Sequence, residues 1–247
     1  MDIIGLAILA LAGAAAGFVN VSAGGGSLLT IPALIFVGLP PTVANGTNRI
    51  AILAQNVVSS ARFRKSGMFQ PALALTLAIP AVAGSVVGSL VAVNMSELVF
   101  QRLLAVVMLL VLAAILFGRS RKDTDEDRVA PQRRGLLFPL FFLVGFYGGL
   151  IQAGVGFLSI LLLHNLGGLT LVRTNSVKVI IIACFTLVAA VTFLISGKID
   201  WPHALVLTVG TTTGGWLGTV FNVSKGDKWV KVVLAVAVIA MSAKLAG

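Results

Sequence analysis

The chain has 247 residues, 58% of them hydrophobic and 11% charged, with a net charge of +10 and a mean hydropathy of +1.05. So little polar surface cannot coat a water-soluble globule, which places the chain in a membrane and excludes a soluble basic domain built to hold nucleic acid. The single cysteine, Cys184, excludes a disulfide framework and a cysteine metal site.

A membrane-spanning helix needs about 20 apolar residues, and the first candidate covers residues 3–21. It is preceded by Asp2 rather than a positive stretch, so it reads as a retained helix and not as a signal peptide. Residues 20–32, Asn-Val-Ser-Ala-Gly-Gly-Gly-Ser-Leu-Leu-Thr-Ile-Pro, then hold amide, hydroxyl and glycine residues that a lipid-facing helix does not need. Glycine costs about 1 kcal/mol relative to Ala inside a helix, so Gly24, Gly25 and Gly26 predict a break and Ser27 a restart. Amides at such a restart lack intrahelical partners and sit at the positive end of the helix dipole, a setting for an anion. The bland alternative is that these glycines only let helices pack closely.

The second element, residues 27–38, reaches about 18 Å as a helix; three extended residues at about 3.3 Å each bring it to about 28 Å, enough to span. A third helix over 42–63 carries Asn45, Arg49, Asn56 and Ser60 on one face, which should look inward. A basic loop with Arg62, Arg64 and Lys65 leads to helices over 71–93 and 98–117. Residues 119–134 mix Lys and Arg with Asp123, Asp125, Glu126 and Asp127 and read as a solvated cytoplasmic linker between a first transmembrane repeat, 1–118, and a second, 135–247.

The second half echoes the first at an offset of 130. Gly24, Gly26, Gly67, Gly84 and Gly88 recur as Gly154, Gly156, Gly197, Gly214 and Gly218, and Leu104-Ala105-Val106 recurs as Leu234-Ala235-Val236. A local shift of three residues matches Gly46-Thr47-Asn48 with Arg173-Thr174-Asn175, as a shorter loop in the second half would require. Five elements per repeat, an odd number, predict halves inserted upside down relative to each other. With the N-terminus outside, most of the 18 Lys and Arg residues fall in cytoplasmic loops: Arg62, Arg64 and Lys65, the linker, and Lys225, Lys228 and Lys231. Trp201 and Trp229 fall at predicted helix starts, where an amphipathic ring suits the interface. The expected fold is an all-α integral membrane protein of about ten transmembrane elements in two inverted five-element repeats, with broken second and seventh elements.

Asp2, Glu97, Asp200 and Asp227 lie at helix ends or in loops, which removes the usual intramembrane proton relay. The sequence has no His-Glu-x-x-His zinc motif and no Gly-x-Ser-x-Gly elbow, so it predicts no enzyme, catalytic residue, metal or cofactor. His164 reads as locally hydrogen-bonded and His203 as an interface residue. The Asn-x-Ser triplets at Asn20, Asn94 and Asn222 adjoin apolar segments and are discounted as glycosylation sites. Arg49 and Lys178 follow Thr-Asn pairs in long apolar helices, where a lipid-facing cation costs about 2.5 to 3.5 kcal/mol. Each needs a polar partner, for which a substrate anion is one candidate, or else snorkels to the interface.

The order Gly24-Gly25-Gly26-Ser27, then Gly38-Leu39-Pro40-Pro41-Thr42-Val43-Ala44-Asn45-Gly46-Thr47-Asn48, a basic loop closed by glycine, a glycine-paired helix and a weaker second copy resembles the sulfite exporter TauE/SafE family over nearly the whole chain. The resemblance implies a secondary transporter of the bacterial inner membrane for small sulfur-containing anions such as sulfite, sulfonates and related acids. Members of that family differ in substrate and direction. The second copy, Gln152-Ala153-Gly154-Val155-Gly156, departs from a full glycine run and should offer less backbone to a ligand. Residues and resemblance together predict a substrate site in which the backbone of Gly24, Gly25, Gly26, Ser27, Gly154 and Gly156 receives oxygens. Asn20, Asn48, Gln152 and Asn175 orient them, and Arg49 and Lys178 supply charge. The implied partners are a small anion and membrane lipid, without nucleic acid; a homo-oligomer is left open. A passive anion channel and a structural or assembly membrane protein are the alternatives.

Overall fold

The computed structural model describes residues 3–117 and 134–246, so the expected linker lies outside the described residues except for Arg134. Among the described residues the chain forms nine helices and no strand: α1 (Ile3–Ala23), α2 (Ser27–Phe36), α3 (Pro41–Lys65), α4 (Pro71–Val93), α5 (Glu97–Phe117), α6 (Arg134–Leu150), α7 (Val155–Asn165), α8 (Leu171–Ile195) and α9 (Trp201–Ala246). Four stretches are long and apolar enough to cross a membrane: Gly5–Ala23, Pro71–Val93, Leu171–Ile195 and Trp201–Lys225. Pro41 and Pro71 open α3 and α4, where the missing N–H has no intrahelical acceptor to lose and the fixed φ already suits the helix.

The offset of 130 is visible in the backbone. α3 and α8 begin at 41 and 171 and end at 65 and 195, and α4 and α9 begin at 71 and 201. The left-handed glycines Gly24, Gly38 and Gly67 recur as Gly154, Gly168 and Gly197. This register sets Asn45 against Asn175 and Asn48 against Lys178, without the three-residue shift expected from sequence. The connection 166–170 is in fact longer than its counterpart 37–40, and the extra residue restores the alignment.

Two further expectations are corrected. The first break is not extended: Gly24 has φ 78°, Gly26 is right-handed helical at φ −56° and ψ −39°, and Leu28 N–H donates to Gly25 O at 3.0 Å. Main chain in apolar surroundings gains by closing its own hydrogen bonds, so the chain turns tightly. α2 then covers only about 15 Å, half of what the hydrocarbon core of a bilayer requires. At the other end of the chain, the ninth and tenth elements are one helix. α9 runs through Lys225, Lys228 and Lys231, and Trp229 stands within it rather than at a helix start. The stretch there holds one glycine, Gly226, and no proline, and a single glycine costs only about 1 kcal/mol in a helix.

The halves interlock. α1 runs along α9 and α4 runs along α6, while α3 packs on α8 and α9, and α8 on α4. Glycine makes the long contacts possible. A Cβ on Gly84 would lie 2.0 Å from Phe142 O, one on Gly88 2.0 Å from Phe146 O, and one on Gly214 1.9 Å from Ala14 O. The α4–α6 and α1–α9 pairs therefore touch backbone to backbone, as small-residue spacing in membrane helices allows. Phe63, Phe141, Phe185 and Phe193 fill the interior beside them.

Candidate functional site

A helix end leaves its last carbonyls without intrahelical donors, and in a membrane interior water is not there to replace them. α1 and α6 both end inside the bundle, and each end is met by a cation from the opposite half. On α8, Lys178 is 1% exposed, and its ammonium donates to Asn20 O at 3.0 Å, Val21 O at 2.8 Å and Asn175 Oδ1 at 2.8 Å. On α3, Arg49 is fully buried and donates to Gly148 O at 3.0 Å and Gly149 O at 2.6 Å, with its guanidinium 4.5 Å from the centre of the Phe193 ring. Each cation thus sits at the negative end of a helix dipole, worth about half an elementary charge.

The aligned asparagines do the same work on both sides. Asn45 Nδ2 donates to Leu150 O at 3.0 Å, and Asn175 Nδ2 to Ser22 O at 3.3 Å. Asn175 Nδ2 also reaches Asn222 Oδ1 at 2.7 Å, and Asn222 Nδ2 reaches Ser22 Oγ at 2.9 Å. This chain joins α8, α9 and the end of α1.

At the first break Asn20 Nδ2 donates to Gln55 Oε1 at 3.2 Å. Asn48 donates to Ser27 Oγ at 3.3 Å and accepts from Thr30 Oγ1 at 2.6 Å. At the second break Gln152 has φ 66° and donates to Thr186 Oγ1 at 3.0 Å, while its Oε1 is buried with no donor. Tyr147 donates its hydroxyl to Ala153 O. The breaks meet each other: Phe157 N–H donates to Gly24 O at 3.2 Å, and a Cβ on Gly24 would lie 2.2 Å from the Gly156 carbonyl carbon. Gly24 is thus required twice, by its left-handed φ and by this approach.

Every sequence-predicted site residue therefore lies in one buried seam, with Asn20, Gly24, Gly25, Gly26, Ser27, Asn48, Asn175 and Lys178 around the first break and Arg49, Gln152, Gly154 and Gly156 around the second. Donors remain unused. Among the described residues, the amides of Gly25, Gly26, Ser27, Gly154 and Gly156 find no acceptor, and neither does Arg49 Nε. Lys178, by contrast, has three N–H groups and three acceptors. The carboxylates of Glu97 and Asp200 stand apart from the seam, at helix starts. Two apolar clefts lie away from it, one of about 490 Å³ between the starts of α4 and α6 and one of about 340 Å³ between α6 and α7.

The acids work at the periphery. Glu97 accepts from Thr42 N at 2.9 Å and from the Thr42 hydroxyl, capping α3, and lies 4.0 Å from Lys198 Nζ. Asp200 accepts from His203 N at 3.1 Å and contacts His203 Nδ1 at 2.6 Å, capping α9. Partial burial opposes the Asp200 charge, but the hydrogen bonds and charge of His203 outweigh it and hold the carboxyl below the ordinary range. His164 Nδ1 lies 2.7 Å from Leu169 O, the local bond expected from sequence. Thr30, Asn45, Gln55, Thr186 and Asn222 belong to the seam but were not among the predicted ligands. Their signal was a polar side chain within an apolar helix, and for Asn222 the glycosylation-like triplet drew attention to the wrong chemistry.

Apolar helices long enough to cross a bilayer, packed around a buried, cation-bearing seam of broken helices, are those of a multi-pass membrane protein, and the family and relatives that match the chain are membrane transporters. The chain belongs to the sulfite exporter TauE/SafE family, whose pattern matches residues 9–245. It is 29% identical over 241 residues to a "Probable membrane transporter protein" of Haemophilus influenzae, covering 97% of this chain and 94% of that one. To "Probable membrane transporter protein YfcA" of Escherichia coli K12 it is 30% identical over 245 residues, covering 97% and 89%. To "Probable membrane transporter protein YunE" of Bacillus subtilis it is 25% identical, covering 96% of each chain. No solved structure matches the chain.

Proposed function

We propose that this protein is a secondary transporter of the bacterial inner membrane that carries a small sulfur-containing anion, such as sulfite, a sulfonate or a related organic acid, through the seam between its two breaks. The observation that carries this reading is the seam's charge: two buried cations and a set of unpaired amides, with the carboxylates of Glu97 and Asp200 apart from them at helix starts. A buried cation without a paired charge favours an anion nearby. In this reading the amides of Gly25, Gly26, Ser27, Gly154 and Gly156 receive the oxygens and Asn20, Asn48, Gln152 and Asn175 hold the walls. Gly24 keeps the breaks together, Arg49 offers its unpaired Nε, and Lys178 adds charge from behind the first break. Two inverted repeats, 1–118 and 135–247 joined by a cytoplasmic linker at 119–134, would let the breaks alternate in access.

Radiolabelled sulfite and sulfonate flux into proteoliposomes tests it, with wild type, Arg49→Gln and Lys178→Gln side by side. A charge-assisted hydrogen bond contributes about 1.5 to 3 kcal/mol, so Arg49→Gln should weaken apparent affinity roughly ten- to hundredfold. Arg49→Lys keeps the charge but loses the planar fork and should retain part of the flux. Wild-type flux should saturate, show counterflow and need no imposed pH gradient, with the membrane potential biasing its direction. A passive channel would show neither saturation nor counterflow, and equal flux in all three proteins would refute the site.

A further inference from the structure

Arg49 and Lys178 do not hold their own halves together. Arg49, on α3, binds the last carbonyls of α6, and Lys178, on α8, binds those of α1. Each bond set reaches across the linker, with partners 99 to 158 residues apart. The aligned Asn45 and Asn175 repeat the crossing on Leu150 O and Ser22 O. Asn222 then ties the Lys178–Asn175 pair to Ser22 Oγ at the end of α1.

We propose that these groups are crossed clamps. Lys178, with Asn175 and Asn222, positions the first break, and Arg49, with Asn45, positions the second, so that each break can open only when the cation of the opposite half lets go of the helix end in front of it. Lys178 is then a positioning residue, since its three donors are spent on Asn20, Val21 and Asn175. Arg49 has a dual role, because its Nε remains unpaired while its two terminal nitrogens grip α6. The crossing supplies a physical coupling between the breaks: an anion arriving at Arg49 competes with the carbonyls of Gly148 and Gly149 for the same guanidinium and so loosens the end of α6. The inference rests on the transporter reading for its place in a transport cycle, but its test needs no transported substrate.

The test uses the full chain in detergent on a Cys184→Ser background, with one reporter cysteine at each break. Ala23→Cys and Ala153→Cys occupy equivalent positions at the offset of 130 and replace residues that are 4% and 0% exposed. The rate of N-ethylmaleimide labelling reports how often each break opens. Lys178→Met should raise labelling at Ala23→Cys by about tenfold or more while leaving Ala153→Cys slow, and Arg49→Gln should do the reverse. Should Lys178→Met fail to fold, Asn222→Ala removes the donor to Ser22 and should also speed Ala23→Cys selectively. A variant that merely loosens the bundle accelerates both reporters together. That result, acceleration of the reporter in the cation's own half, or unchanged rates at both would each overturn the proposal, whether or not sulfite is carried.

Discussion

Gln152 is the described non-glycine residue with a left-handed backbone, and it is fully buried at the second break with its side-chain Oε1 unpaired. A left-handed conformation costs a side-chain-bearing residue on the order of 1 kcal/mol, which glycine does not incur. Gln152→Gly and Gln152→Ala both lose the bond to Thr186, so they differ mainly in this strain. We expect the glycine variant to be the more stable by about 1 kcal/mol in thermal or denaturant unfolding, reversing the usual preference for Ala over Gly within a helix. An alanine variant that melts higher would show that the chain at 151–154 relaxes out of the left-handed turn. An amide in an apolar run marks Gln152 in the sequence, but its φ does not show there. Arg49 and Lys178 are legible for the same reason, as cations that lipid would reject. Their partners are not, because main-chain carbonyls leave no signature in side chains and these ones come from the far half of the chain.

At the scale of the helices, glycine spacing carries different weight at different contacts. Gly88 faces Phe146 O at a distance where an added Cβ would sit at 2.0 Å, whereas at Gly218 the nearest atom, Phe18 O, would be 2.9 Å away. Overpacking a close-packed contact costs about 1 to 3 kcal/mol, and backbone gives way less readily than a side chain. Gly88→Ala should therefore lower stability more than Gly218→Ala, and Gly88→Leu should lose most of the folded yield. Thermal melting of the purified variants checks the order, and equal melting of Gly88→Ala and wild type would mean that α4 and α6 do not touch as described. The break at Gly24 and the restart at Ser27 were readable from composition because three glycines in a row defeat a helix. The tight shape of that break was not, since nothing in a glycine run says whether it extends or turns. Nor did the Lys225–Lys231 stretch announce that it stays helical, because charge marks a membrane edge without requiring the backbone to bend.

Whole-molecule topology rests on equivalent positions that carry unequal charge. The turns after α3 and α8 share a left-handed glycine, Gly67 at φ 74° and Gly197 at φ 67°, and follow helices of 25 residues each. Yet the last turn of α3 carries Arg62, Arg64 and Lys65, and the last turn of α8 carries no basic residue. The offset of 130 was legible because glycine recurs where backbones must bend or touch; the interlocking of α1 with α9 and of α4 with α6 was not, since packing partners leave no mark on local periodicity. If basic residues are retained on the cytoplasmic side, two structurally equivalent turns with such different charge face opposite sides, which is what inverted repeats require. Ser66 and Ser196 stand at these turns, one residue before each glycine. On a Cys184→Ser background, we expect Ser66→Cys to resist a membrane-impermeant maleimide in intact cells and to react once the membrane is opened, while Ser196→Cys reacts from outside. Thr124→Cys, in the linker, should behave like Ser66→Cys. Labelling of both turns from the same side would rule out inversion even if the chain transports an anion, and labelling of Thr124→Cys in intact cells would turn the whole assignment over.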